Sequence, residues 1–283
     1  MGKTATFFES RGIGSARLDA ELLLGEVLGL DRLHLYTSFD RPISSEELDA
    51  YRVLVKRRAK REPVAYILGR REFYGRTFAV DPRVLIPRPD TEVLVDEVLA
   101  RLPEDAEGVV IDYGTGSGAI ALTLAAERPK LSVLGLDISE DALTAARANA
   151  DALGLRQRVG FIRSDGLNSL PPRFQGQVVA LVANPPYIPQ EDLEGLMPEV
   201  RDHEPQSALF AGPDPLLHYR RIAAEGRDWL GTEGFVSVEV GAGQSEGVCA
   251  LFEVSGWADI AVRSDLARHE RVVSASVAAS TAS

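Results

Sequence analysis

Apolar side chains recur at helical spacing through Leu18, Leu22, Leu23, Leu24, Val27 and Leu28, and Gly29 follows as a stop. After Pro42, Ser44 or Ser45 can cap a second helix. Its first turn holds Glu46 and Glu47, where carboxylates suit the helix dipole, and its apolar face holds Leu48, Tyr51, Leu54 and Val55. Pro63 opens a third, short element with Tyr66, Ile67 and Leu68, ended by Gly69. Residues 1–71 thus read as a small helical domain. Between Glu72 and Ile86 the period changes. Phe73, Tyr74, Phe78, Val80, Val84, Leu85 and Ile86 are strand formers punctuated by Gly75 and Pro82, which predicts a β-hairpin linker over 72–90.

From Thr91 a helix runs through Val93, Leu94, Val95, Val98 and Leu99, and from Gly108 strands and helices alternate. Apolar strands are expected at Val109–Ile111, Ser132–Leu136, Val159–Ile162, Val178–Val182 and Phe235–Val240, with helices at Asp141–Leu153 and Leu216–Leu230 among them. Strands apolar on both faces and separated by helices predict an α/β fold with a parallel, doubly wound sheet, here over residues 91–274. After Val273 the chain turns small and polar, and disorder is expected over 275–283.

Composition alters this little. Of 283 residues, 45% are hydrophobic and 26% charged, which excludes collagen, coiled coil and a wholly disordered chain. Charge alters it more. A net charge of −11 argues against a surface built throughout to grip nucleic acid. Residues 1–90 carry 16 basic and 13 acidic side chains, whereas residues 91–283 carry 15 and 29. Nine Lys or Arg lie between Arg52 and Arg76, facing only Glu62 and Glu72. A solvated helix face is the common meaning of such a run, and a partner-binding surface the sharper one. Cys249 is the sole cysteine, so no intrachain disulfide or thiolate metal cluster forms. His34, His203, His218 and His269 lack metal spacing, and no metal site is expected. The opening MGKTATFFESRG has no signal-peptide core, and no stretch approaches the ~20 apolar residues of a membrane span. A cytoplasmic monomer without membrane association is expected.

Chemistry gathers at two turns. In Asp112-Tyr113-Gly114-Thr115-Gly116-Ser117-Gly118, where the first sheet strand meets its helix, glycines permit a tight turn and close ligand approach. In an open α/β sheet this crevice is where ligands bind. The spacing G-x-G-x-G departs from the dinucleotide fingerprint and lacks the P-loop lysine, which counts against a phosphate ligand. Asp137 ends the next strand and is placed to accept from two ribose hydroxyls; Asp165 follows the third strand and suits an adenine amino group. Asp112 can hold the turn or meet an ammonium. A nucleoside with positive charge and no phosphate is implied, and S-adenosylmethionine fits.

The second turn is Asn184-Pro185-Pro186-Tyr187, at the end of the fourth strand. Two prolines fix φ and remove two N–H donors, leaving the Asn184 amide oxygen and the Pro185 carbonyl as rigid acceptors for a substrate –NH2. Tyr187 offers a flat wall to a planar group. The arrangement suits methylation of a conjugated nitrogen, either a glutamine amide or an exocyclic base amine. Such nitrogens are weak nucleophiles, so placement must supply the gain.

With these residues the chain resembles the peptide chain release factor glutamine-N(5)-methyltransferases, a class I S-adenosylmethionine-dependent family. Arg61–Gly69, Glu72-Phe73-Tyr74-Gly75 and Val84-Leu85-Ile86-Pro87-Arg88-Pro89-Asp90-Thr91-Glu92 carry the likeness beyond the two turns. His203-Glu204-Pro205 and Ala208-Leu209-Phe210 resemble the family's following loop. The resemblance implies a Rossmann-like methyltransferase domain with a seven-stranded mixed sheet, preceded by a helical substrate-docking domain and a β-hairpin linker. It implies cofactor binding by Gly114, Thr115, Gly116, Ser117, Gly118, Asp137, Asn184 and Asp165 or Gly166. It also implies that Asn184, Pro185, Pro186 and Tyr187 hold the glutamine of a release factor's Gly-Gly-Gln loop. Tyr113 stands where the family usually has Leu, Ala183 where Ser is common, and Pro215 where Gly is usual. An adenine-N6 DNA or RNA methyltransferase shares the chemistry of the second turn, but the acidity of residues 91–283 speaks against direct nucleic-acid contact. A non-catalytic nucleoside-binding adaptor is the third reading.

Overall fold

A computed structural model of the chain describes residues 1–38 and 40–278. In chain order the elements are α1 (Gly2–Glu9), α2 (Ala16–Leu28), α3 (Arg32–Thr37), α4 (Ser45–Ala59), α5 (Val64–Leu68), β1 (Arg70–Phe73), β2 (Arg76–Ala79) and α6 (Glu92–Arg101). Then come β3 (Gly108–Tyr113), α7 (Ala119–Glu127), β4 (Leu131–Asp137), α8 (Glu140–Ala152), β5 (Val159–Arg163), β6 (Val178–Ala183) and α9 (Pro198–His203). Last are α10 (Leu217–Glu225), β7 (Leu230–Glu239), α11 (Ser245–Val254), β8 (Trp257–Ser264) and β9 (Glu270–Val277). Contacts divide the chain into two units, Met1–Arg70 with Leu196–His203, and Arg71–Gly195 with the chain from Glu204 onward.

In the first unit, α4 begins with a full capping box. The Ser44 hydroxyl accepts from Glu47 N at 3.2 Å and the Glu47 carboxylate accepts from Ser44 N at 2.9 Å. Gly29 and Gly69 close α2 and α5 in the left-handed conformation. Phe8, Ile13, Leu23, Leu24, Tyr51 and Ile67 form the unit's core. The segment carrying α9, expected within the larger domain, packs with these helices instead. Buried Arg58 bonds Asp19 and Glu199 at 2.6 Å each, and Arg61 reaches the other Glu199 oxygen at 2.6 Å. The basic run is largely spent in such pairs. Arg52, Arg57, Arg58, Arg61, Arg70 and Arg76 each meet a carboxylate, which leaves Lys56, Lys60 and Arg71 as its remaining cations.

In the second unit a seven-stranded sheet runs in the order β5-β4-β3-β6-β7-β9-β8. The strands from β3 to β7 pair parallel, and β9 lies antiparallel between β7 and β8. Alternate residues separate the faces. Val110, Ala180 and Val182 pack with α6 and α7, whereas Ile111, Leu181 and Ala183 pack with α10 and α11. Chain order reverses beside β3, from which β4 lies on one side and β6 on the other. That reversal is the switch point where an open sheet leaves a crevice.

Three details differ from the sequence reading. The hairpin is shorter: Val84, Leu85 and Ile86 join no ladder, because the Ile86 N–H goes to the Glu204 carboxylate at 3.1 Å. The helix expected to Leu230 stops at Glu225, and Leu230 already begins β7 beside Val178. The tail is strand through Val277. Its serines suit a strand paired on both edges, with Ser274 buried and its Oγ 2.8 Å from the Ser237 Oγ. Disorder expected from residue 275 therefore fails for 275–277, and 279–283 lie outside the described residues.

Candidate active site

The glycine turn joins β3 to α7 at the carboxyl edge of the sheet. Gly114, Gly116 and Gly118 have φ of +76°, +54° and +81°, a region side chains avoid. At Gly118 an added Cβ would also stand 3.0 Å from Leu122 Cδ1 and 3.3 Å from Ala146 Cβ. The turn is held from β4. Leu136 O accepts from Gly114 N and Thr115 N at 2.8 Å, and Asp137 Oδ2 accepts from Gly116 N at 2.9 Å. The other Asp137 oxygen accepts from Ser139 N at 2.9 Å, so each oxygen keeps a lone pair for a ligand hydroxyl. Burial raises the Asp137 pKa, and the backbone donors oppose that rise.

Asp112 lies beneath the turn, fully buried. Its Oδ2 accepts from the Thr115 hydroxyl at 2.7 Å and from Ala121 N at 3.1 Å, while Oδ1 has no partner. Burial pushes its pKa up to about 7, against the pull of those two donors. Thr115 and Ser117 are therefore buried supports of the turn, not lining side chains. Asn149 is a support that no sequence signal marked. Its amide donates to Ser117 O at 2.9 Å and to Ala79 O at 3.1 Å and accepts from Ala79 N, tying the turn to β2.

A cleft of about 790 Å³, its open mouth included, is bounded by Gly114, Asp137, Asp165, Gly166, Asn184 and Pro186. The structure thus brings together six of the residues marked in the sequence. Pro185 is buried under the second turn, and Tyr187 is half-buried behind it with its pKa pushed by burial to about 12. Asp165 does not simply face the cleft. Its Oδ1 accepts from Arg221 at 2.7 Å, which holds its pKa below the usual range and leaves Oδ2 for a ligand amine. Tyr113, the departure from the family pattern, places its hydroxyl 2.9 Å from Nδ1 of His218, and both line the cleft. Burial lowers the His218 pKa, favouring the neutral ring.

Asn184 donates from Nδ2 to the Thr91 hydroxyl at 3.0 Å, which turns its Oδ1 acceptor away from Thr91. The linker before Thr91 is pinned in turn. Buried Glu204 takes Ile86 N on one oxygen and Arg88 on the other. Spacing could not find Glu204 or Glu239, the buried carboxylate behind Thr91 and Tyr187, because each meets its partners only after long chain excursions.

The profile of the PrmC N-terminal domain matches residues 2–69, and that of the methyltransferase small domain matches residues 90–197. A release factor glutamine methyltransferase of Geobacter sulfurreducens is 44% identical over 270 residues, 95% of this chain and 93% of that protein. The chain belongs to the release factor glutamine methyltransferase family. A further member, from Caulobacter vibrioides, is 42% identical over 93% of this chain and 90% of its own length. The fold alone is shared with a solved methyltransferase of Pyrococcus furiosus, with a TM-score of 0.51 over 72% of this chain and 90% of that one at 15% identity.

Release factor glutamine methyltransferases use S-adenosylmethionine, and the residues present suit it. Three left-handed glycines leave the backbone open to close approach. The unpartnered Asp112 oxygen and the Asp137 carboxylate suit, respectively, positive charge and a diol.

Proposed function

We propose that this chain transfers the methyl group of S-adenosylmethionine to the side-chain amide nitrogen of the glutamine in a release factor's Gly-Gly-Gln loop. The observation that carries the reading is the Asn184 amide, held by Thr91 with its oxygen turned away from Thr91 at the wall of the cleft. That oxygen and the Pro185 carbonyl each accept one N–H of the substrate amide, which aims the nitrogen's electron density into the cleft. S-adenosylmethionine, when bound, supplies a methyl carried on a sulfonium. As the new N–C bond forms and the S–C bond breaks, positive charge builds on the substrate nitrogen, and both acceptors bind it more tightly than they bind the neutral amide. The nitrogen is then strongly acidic and loses its proton, so no general base precedes attack. Tyr187, half-buried, offers its ring as a flat wall to the planar amide.

The same reading has the helical unit dock the release factor. It also assigns a monomer working in the cytoplasm and touching no nucleic acid directly, for which the excess of 29 acidic over 15 basic side chains in residues 91–283 is the support. The test is labelled-methyl transfer to purified release factor, to its Gln→Ala variant and to unmethylated DNA, side by side. Label in the first alone is expected. Label in the DNA, or equal label in the Gln→Ala variant, would overturn the assignment.

A further inference from the structure

One corner of the cleft is built from α10. His218 and Arg221 lie three residues apart on that helix and so share one face of it. Arg221 bonds Oδ1 of Asp165 at 2.7 Å, which leaves Oδ2 as an acceptor unbonded among the described residues. His218 meets the Tyr113 hydroxyl through Nδ1 at 2.9 Å, and the two rings stand edge to face, 5.8 Å between centroids at 72°. Tyr113, Asp165, Gly166 and His218 all line the cleft. A Cβ added at Gly166 would lie 3.5 Å from Arg221 Cζ and 3.7 Å from the Tyr113 hydroxyl oxygen, so the two polar pairs meet at one spot.

The bond between Tyr113 and His218 has two possible directions. A phenol is a much stronger acid than a neutral imidazole N–H, and an imidazole nitrogen a much stronger base than a phenol oxygen, so the hydroxyl donates and Nδ1 accepts. Burial keeps both groups uncharged, pushing the Tyr113 pKa up to about 12 and that of His218 down. The ring proton of His218 therefore sits on Nε2. That nitrogen bonds nothing among the described residues and is open to solvent. We infer that His218 is a cofactor-specificity residue: its Nε2–H donates to a ring nitrogen beside the adenine amine of S-adenosylmethionine, while Asp165 Oδ2 accepts from the amine itself. A donor and an acceptor side by side match the edge of adenine, whose amine is flanked by lone pairs on N1 and on N7. A 6-oxo base would turn lone pairs on Asp165, which has no proton to give, and is rejected. Tyr113 is a positioning residue, since its proton fixes which nitrogen of His218 is the donor. The assignment concerns the cofactor alone and holds whichever substrate nitrogen receives the methyl.

Calorimetry with S-adenosylhomocysteine, the demethylated cofactor, tests this without turnover. His218 is half-exposed, so its replacement leaves the core intact. His218→Phe keeps a flat ring but loses the donor, and is expected to raise Kd by about 5- to 10-fold. The 1-deaza and 7-deaza forms of S-adenosylhomocysteine each replace one ring nitrogen by C–H. One of them should bind the wild type about 5- to 10-fold more weakly than S-adenosylhomocysteine and lose no more than about twofold further in His218→Phe, because the bond is already gone. The other should show the full loss. Tyr113→Phe leaves His218 in place with its tautomer unfixed. It is expected to cost no more than His218→Phe, and the double variant no more than that single, since Tyr113 acts through His218. An unchanged Kd in His218→Phe, an equal loss on all three ligands, or losses that multiply in the double variant would each overturn the inference. Melting temperatures of the ligand-free proteins confirm that each variant compared is folded.

Discussion

Asp112 makes folding stability depend on pH in a direction opposite to most carboxylates. Burial raises its pKa from 3.8 to about 7 in the fold. The folded state therefore binds a proton more tightly than the unfolded chain between those values, and the stability this confers is lost as pH rises through 7. Weighing the two protonation equilibria, the folded state loses about 2–3 kcal/mol from this one group between pH 5 and pH 8. Asp112→Asn removes the titration while keeping an oxygen for the Thr115 hydroxyl and Ala121 N. Urea denaturation of the cofactor-free protein should show the variant gaining on the wild type by that amount between the two pH values. Other groups titrate in both proteins, so the difference between them isolates Asp112. Parallel stability curves, or a variant that falls behind as pH rises, would refute the argument that an uncompensated carboxylate lies under the turn. S-adenosylmethionine should narrow the gap if its positive charge compensates Asp112.

Gly118→Ala meets a positive φ and crowds Leu122 and Ala146, so a loss of about 1–2 kcal/mol in urea denaturation is expected, together with weaker cofactor binding. Arg58→Met leaves Asp19 and Glu199 facing an apolar side chain; a loss of about 3–5 kcal/mol is expected, and one below 1 would show that the pairs do not matter. Tyr113→Phe leaves His218 Nδ1 without the hydroxyl 2.9 Å away, which should weaken cofactor binding by about 1 kcal/mol, or fivefold in Kd by calorimetry. An unchanged Kd would mean this corner of the cleft does not meet the ligand.

The parts of the site legible in the sequence are those whose meaning is local. Gly114, Gly116 and Gly118 advertise a left-handed turn, Asp137 ends the neighbouring strand, and Asn184 precedes two prolines; each signal lies within a few residues. Helices with caps were equally plain, as at Ser44 and Gly29. What stayed hidden is pairing at a distance. Nothing near Glu239 points to Thr91, nothing near Asn149 points to Ser117 or Ala79, and Glu204 finds Ile86 only in the fold. β8 and β9 escaped for a related reason. Exposed polar positions on β8 and small serines on β9 blur the apolar run that marks a buried strand, and their pairing with β7 supplies what their composition does not. The basic run misled in the opposite sense, because Arg58, Arg61, Arg70 and Arg76 pair with carboxylates far away in the chain.

The division of the chain also bears on the order in which it is made. The helical unit consists of Met1–Arg70 and Leu196–His203, and Glu199 in the second piece binds Arg58 and Arg61 in the first. A ribosome that has finished Arg70 must add roughly 130 residues, about 7–26 s at 5–20 residues per second, before that helical unit can be completed. During that interval Arg58 has Asp19 but not Glu199. The first unit to be started is thus finished only after Arg71–Gly195 of the other unit has been made, and a gene fragment ending at residue 70 encodes an interrupted unit.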